Sequence, residues 1–295
     1  MRPLLERLSD GEVLVADGAM GTMLLDRGLG IGAPPESVNL SRPEILEEIA
    51  RLYLDAGADI IQTNTFGGSP LKLAMYALDD RAGEINHAAV RAVRRVVDDR
   101  ALVSGSCGPS GKMLTPYGDT EPAEMYRSFR RQMEALIGAD VDAICIETMT
   151  DPKEAALAIK AAKDVRAGIP VMATMTFDPT PRGYFTIMGT SIEQAAAELA
   201  EAGADVVGSN CGNGIEPMIE IARLFRACSD RPLLIQPNAG LPDTMDGRLV
   251  YSETPDFMAE RAQQLIEAGV SIIGGCCGTT PEHIRSLRRM VDVLK

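Results

Sequence analysis

Apolar, β-branched runs alternate with amphipathic stretches along the whole chain. The runs are VLVADGA (13–19), DIIQTNTF (59–66), ALVSGSCGP (101–109), AICIET (143–148), PVMATMTF (170–177), DVVGSNCG (205–212), LLIQPNAG (233–240) and SIIGGCCG (271–278). Between them lie stretches such as RPEILEEIARLYLDAG and SIEQAAAELAEAG, patterned as one-sided helices. Strand and helix in alternation predict a parallel sheet with crossover helices. Eight such units close most simply into an α/β TIM barrel, (β/α)₈, and residues 1–295 read as one such domain. An open doubly wound sheet is the competing arrangement, but no GxGxxG phosphate loop follows the first strand.

Loop lengths orient the barrel. Helix-to-strand connections are tight, as in DAGAD, EAGAD and EAGVS, whereas the strand-to-helix segments 18–43, 108–122, 178–190 and 239–254 are long. Long loops rich in Gly and Pro at the C-terminal ends of strands are where barrels build their active sites.

A weak internal repeat places particular side chains at that end. With the even strands aligned on Asp59, Asp142, Asp205 and Ser271, the fifth residue on is Asn64, Glu147, Asn210 or Cys276. The sixth is Thr65, Thr148, Cys211 or Cys277. Alternate strands of a barrel contribute side chains to a common layer, so Cys211 and Cys277 should face each other at one height. Neighbouring side chains on a strand point to opposite faces, so Cys276 joins them only if the last strand breaks. Gly274, Gly275 and Gly278 permit such a break.

Composition narrows the chemistry. The net charge of −13 argues against nucleic acid or an anionic membrane as partner. No apolar run approaches the length of a signal-peptide core or a membrane span, so a cytoplasmic protein is expected. Six cysteines are too sparse for a disulfide scaffold in a chain this long. Three convergent thiolates suit Zn²⁺ and leave its fourth place open, as in catalytic sites. The plainer alternatives are three small buried residues or a strained vicinal disulfide. Cys107 sits near the mouth but reads as a buried small residue, and Cys145 and Cys228 read as structural. His87 and His283 fall in helical segments, leaving little basis for histidine chemistry.

DGAMGT (17–22), TNTFGG (63–68), GP (108–109), IET (146–148), NCG (210–212), PNAG (237–240) and GGCCGTTPEHI (274–284) together give the chain a family likeness. It resembles the homocysteine S-methyltransferases, and most of all the homocysteine-binding barrel of the cobalamin-dependent methionine synthases in that family. The resemblance implies zinc held by Cys211, Cys276 and Cys277, with the substrate thiol in the fourth position and Asn238 as a ligand when substrate is absent. It also assigns Asp17 and Glu147 to the ammonium of homocysteine. The amides of Gly18, Ala19, Met20, Gly21 and Thr22 are candidates for its carboxylate, and Asn64 and Thr65 for the pocket wall. The plain alternatives are a turn cap for Asp17 and a basic partner for Glu147.

The expected reaction is methyl transfer to a zinc-bound thiolate, giving methionine. Relatives that use betaine need an aromatic site for its quaternary ammonium, and this chain has no Trp and only 4% aromatics. Because the sequence runs out at Lys295, before any cobalamin module, the expected donor is methylcobalamin on a corrinoid protein acting in trans. Loops 108–122 and 241–255 would form its docking rim. S-methylmethionine as donor, another small thiol as acceptor, and a non-enzymatic zinc-holding subunit remain alternatives. A zinc hydrolase is disfavoured by a ligand set made only of sulfur.

Overall fold

Eight short parallel strands follow one another in the computed structural model, which describes residues 2–30, 32–245 and 248–294. They are β1 (Leu14–Val15), β2 (Ile60–Gln62), β3 (Leu102–Cys107), β4 (Ala143–Met149), β5 (Val171–Met175), β6 (Val206–Asn210), β7 (Leu233–Gln236) and β8 (Val270–Ile273). From β2 to β8 each strand pairs in parallel with the next, β8 pairs with β1, and an Ala16–Ile60 bridge joins β1 to β2. The expected (β/α)₈ barrel is therefore the fold.

Local sequence starts the crossover helices. Helices Pro43–Asp55, Pro122–Gly138, Pro152–Val165, Pro255–Glu267 and Pro281–Val293 all begin on proline. Its fixed φ and missing N–H suit the first turn of a helix. Asp151, Ser191 and Thr254 cap their helices, accepting from the N–H groups of Lys153, Gln194 and Phe257.

The barrel interior is a filled core rather than a pore. Leu14, Ile60, Leu102, Cys145, Met172, Val206, Leu234 and Ile272, one from each strand, pack together with Leu4 of the N-terminal helix Leu4–Ser9. Burial of each large aliphatic side chain stabilises the fold by about 1.5–3 kcal/mol. A second, larger core lies between strands and helices, where Phe177 and Phe225 meet edge to face at 5.7 Å.

The aspartates that set the internal repeat share one structural role at the closed end. Asp59, Asp142 and Asp205 each accept a hydrogen bond from a backbone N–H of the preceding strand, at Val15, Val103 and Val171. Each returns its own N–H to the carbonyl of that same residue. They pin the strand register from which the opposite, functional end is measured.

Two expectations need correction. Most of the apolar runs overstate the strands: β8 stops at Ile273, ahead of both cysteines, and β7 at Gln236, whereas β4 runs through Glu147 and Thr148 to Met149. Three of the long loops are not irregular throughout: 18–43 holds the short helices Gly21–Asp26 and Val38–Ser41 and the 3₁₀ turn Pro35–Ser37. Segment 178–190 contains the hairpin Asp178–Thr180/Gly183–Phe185, and 239–254 contains Pro242–Met245/Arg248–Tyr251. Both hairpins are short and proline-bearing, without the apolar alternation that marks a strand in sequence. Residues 246 and 247 of the second segment, part of the expected 241–255 rim, lie outside the described residues. Among the described residues no helix is long and apolar enough to cross a membrane.

Candidate active site

The sulfur cluster is built by two turns at the open end of the barrel. Cys211 directly follows β6 and adopts a left-handed conformation (φ 61°), with Gly212 after it also left-handed (φ 76°). For a non-glycine residue this costs roughly 1–3 kcal/mol. The Cys211 N–H is held by the Gln236 carbonyl at 3.1 Å.

After β8 the glycines do what their spacing predicts. A Cβ on Gly275 would lie 2.3 Å from Thr279 Oγ1, and one on Gly278 (φ 78°) would meet the Tyr251 ring at 2.1 Å. With those side chains missing the chain folds back. The Cys276 N–H then donates to the Pro237 carbonyl at 2.8 Å, and the Cys277 carbonyl accepts from Ala239 at 3.0 Å.

As a result Cys211 Sγ and Cys277 Sγ lie 3.8 Å apart, and all three Sγ atoms fall within 4.8 Å of one another. Among the described residues no other trio of Cys, His, Asp or Glu converges in this way. The donor set fits a tetrahedral ion. With metal–sulfur bonds of about 2.3 Å, two ligand sulfurs should lie about 3.8 Å apart. The cluster also favours negative charge on sulfur. S–H donation from Cys276 and Cys277 holds the Cys211 thiol down at about 3, while both donors are pushed up. Asn238 bonds to Cys211 as well, and its Oδ1 is buried without a partner. An orphaned buried acceptor beside three thiols suits a cation.

Two carboxyl groups share the site. Asp17 follows β1; its Oδ2 accepts from the Gln62 N–H at 2.8 Å, and its Oδ1 is buried with no partner. Burial pushes this carboxyl up to about 8. Glu147 sits at a register shift between Ile146 and Met149, followed by left-handed Thr148 (φ 58°). Such a bulge re-aims a side chain. Ser106 Oγ donates to Glu147 Oε1, and Asn210 Nδ2 lies 3.4 Å from its Oε2. Burial raises Glu147 to about 7.

Asn210 ties these parts together. Its Oδ1 accepts from Thr148 N and Thr174 Oγ1, each at 2.7 Å, and its Nδ2 also lies 3.8 Å from Cys276 Sγ.

Sulfurs and carboxyls open on one cavity of about 400 Å³. Gly18, Ala19, Met20, Gly21, Thr22 and Asn64 line it as expected. Ala19 N–H, however, is committed to Thr279 Oγ1, and Asn64 donates to Pro35 and Asn39. Thr65 is turned into the wall, bonded to Thr63 and to the Ser106 carbonyl. Asn238 is placed against Cys211 and not among the cavity-lining residues.

Sequence reasoning missed Glu36, Gln62, Phe66, Lys72, Tyr76, Ser106 and Gln236, which also line the cavity. For Ser106 the signal was present, since it alternates with Ser104 along β3. Glu36 and Lys72 come from single helical turns, Pro35–Ser37 and Pro70–Leu73, too short to show a period. The other chemistry-bearing residues are structural. Cys107 is buried against Gln132, and Cys145 lies in the barrel interior. Cys228 closes helix Ile215–Cys228, and His283 bonds to Thr280 and to the Glu253 carbonyl.

Comparison with known proteins fits this geometry. The chain is 36% identical to methionine synthase of Mycobacterium tuberculosis and 34% identical to that of Mycobacterium leprae, over 99% and 98% of its length. It spans only about a quarter of those relatives, 26% and 25%. The homocysteine methyltransferase MmuM of Escherichia coli, in its metallated form, has the same fold, with a TM-score of 0.80 at 24% identity. That match covers 98% of this chain and 99% of the other. Residues 14–291 match the family described as Homocysteine S-methyltransferase, and the chain belongs to that family of methyltransferases.

Proposed function

We propose that the chain methylates the thiolate of homocysteine, giving methionine, on zinc held by Cys211, Cys276 and Cys277. The observation that carries this reading is the opening of three convergent thiols onto a cavity that also presents Asp17 and Glu147. Zinc would deprotonate the substrate thiol and keep the sulfur nucleophilic, since three thiolate ligands leave it little Lewis acidity.

The protein's own residues do the rest. Asp17 and Glu147 bind the ammonium, whose approach favours the charged form of both acids. The Asn210 network fixes Glu147 relative to the sulfurs, so that a thiol held at one end presents its amino group to the other. The backbone at 18–22 offers neutral donors to the carboxylate. Residues 1–295 act as one homocysteine-binding barrel, and the free thiols fit a reducing, cytoplasmic setting.

For the donor we favour methylcobalamin carried on a separate folded module, in the same polypeptide or another. Support comes from the much longer relatives named methionine synthase and from the mouth of the barrel. Met113, Tyr117, Ile187, Met188, Leu241 and Leu249 are all exposed there, on segments that follow β3, β5 and β7. Such a rim suits a large transient partner. A second reading rests on Phe66 and Tyr76, which line the cavity. Aromatic faces there would accept a small sulfonium such as S-methylmethionine. Turnover of homocysteine with each donor in turn tests the proposal; no methionine from any of them would refute it.

A further inference from the structure

The charged lining of the cavity is one-sided. Asp17, Glu36 and Glu147 place carboxyl groups on its wall, and Lys72 is the only basic side chain among the lining residues. The chain has 42 acidic and 29 basic residues, so acidic partners are in excess. Yet the Lys72 ammonium enters no ion pair or hydrogen bond among the described residues; the hydrogen bonds of Lys72 are made by its backbone, whose N–H donates to Ser69 and whose carbonyl accepts from Ala74. Burial pushes the Glu36 carboxyl up, opposed by backbone hydrogen bonds and more weakly by the Lys72 charge, and Glu36 gives its Oε1 to the Gly67 N–H at 2.6 Å.

The lysine stem lies close against the backbone of Gly111. A Cβ on Gly111 would stand 3.2 Å from Lys72 Cδ and 3.3 Å from its Nζ, and Gly111 takes a left-handed φ of 75° that suits glycine. A half-buried cation held in no direct ion pair carries a desolvation cost that an anionic ligand offsets. An incoming carboxylate among three acids is equally unfavourable unless something offsets it.

We infer that Lys72 is the counter-ion of the acceptor's α-carboxylate. It is then a specificity-determining residue that selects an amino-acid thiol over a plain one. This rests on the homocysteine reading above and deepens it. The backbone at 18–22 supplies neutral donors only, one of them already spent on Thr279.

The test is direct binding of three thiols to zinc-loaded protein by calorimetry, with no methyl donor present. Homocysteine carries both charged groups, 4-mercaptobutyrate lacks the ammonium, and 3-aminopropanethiol lacks the carboxylate. Lys72→Met should weaken the first two by about 10- to 100-fold, the loss expected for a charge-assisted hydrogen bond. It should leave the third within about twofold, with zinc content unchanged, and Lys72→Arg should restore most of the loss. Equal weakening of all three thiols, or unchanged homocysteine binding, would overturn the assignment. Failure of the unaltered protein to bind homocysteine would instead refute the proposed function itself.

Discussion

Cys211 Sγ and Cys277 Sγ lie 3.8 Å apart although 66 residues separate them in the chain. Each stands one position beyond the residue that closes the polar layer of an even strand, Asn210 on β6 and Cys276 after β8. Cys211 reaches the cluster through a left-handed backbone turn, and Cys276 and Cys277 through a strand that ends early. The same device recurs at Thr148, which stands one position beyond Glu147 and is also left-handed (φ 58°). The repeat thus places a sulfur site and a carboxylate site at one height, and Asn210 bridges them.

One zinc per chain is the expected stoichiometry of the purified protein. Cys211→Ser, Cys276→Ser and Cys277→Ser should each lose most of the metal, whereas Cys107→Ser, buried against Gln132, should keep it. Full zinc retention in both the Cys276→Ser and Cys277→Ser proteins would rule out the three-sulfur site.

The barrel and the sulfur triad were legible in the sequence for a shared reason. Strand–helix alternation has a period, and the repeat from Asp59, Asp142 and Asp205 rests on a hydrogen bond to the preceding strand at each one. Much of the cavity wall was not. Lys72 lies on a short helical segment (Pro70–Leu73) and Glu36 on a single 3₁₀ turn (Pro35–Ser37). Their placement comes from tertiary contacts that no local pattern encodes. The hairpins at 178–185 and 242–251 escaped for a related reason, since exposed strands need no apolar face. Asn64 was found, but its amide is spent on Pro35 and Asn39 and holds the loop instead.

Glu147→Gln should weaken homocysteine binding by about 10- to 100-fold, the loss of a charge-assisted contact to the ammonium. Zinc content should not change, because Glu147 hydrogen-bonds to Ser106 and Asn210 and is not one of the three converging sulfur ligands. Calorimetry against metal analysis separates the two effects. An unaltered dissociation constant would remove Glu147 from the substrate site.

The raised carboxyl of Asp17 gives the substrate-free protein a defined pH response. Its folded value is about 8 against an ordinary 3.8, so between those limits the folded chain keeps a proton that the unfolded chain has released. Its contribution to stability is therefore full below about pH 4 and is lost as pH rises towards 8. Asp17→Asn should flatten that decline and raise the melting temperature at pH 8, while weakening homocysteine. Binding of the ammonium favours the charged carboxylate, so affinity for homocysteine should rise from pH 6 to about pH 8. Identical melting profiles for the two proteins across this range would show that Asp17 is not the titrating group.

The donor is settled by kinetics at the rim. Free methylcobalamin presents the methyl–cobalt bond without the contacts of a carrier module, so it should methylate homocysteine slowly. Betaine and S-methylmethionine should support little turnover. Ile187 and Leu249 are 78% and 57% exposed, so Ile187→Asp and Leu249→Asp should change stability by no more than about 0.5 kcal/mol. If these side chains meet a carrier, the paired substitution should slow methyl transfer from a corrinoid-loaded module by at least about tenfold, the cost of burying unpaired charge at an interface. The slow reaction with free methylcobalamin should be untouched, because it makes no use of the rim. Equal slowing of both reactions would mean that the substitutions disturb the cavity. Rapid turnover with S-methylmethionine alongside inert methylcobalamin would overturn the corrinoid reading, and leave Phe66 and Tyr76 as the walls of a sulfonium site.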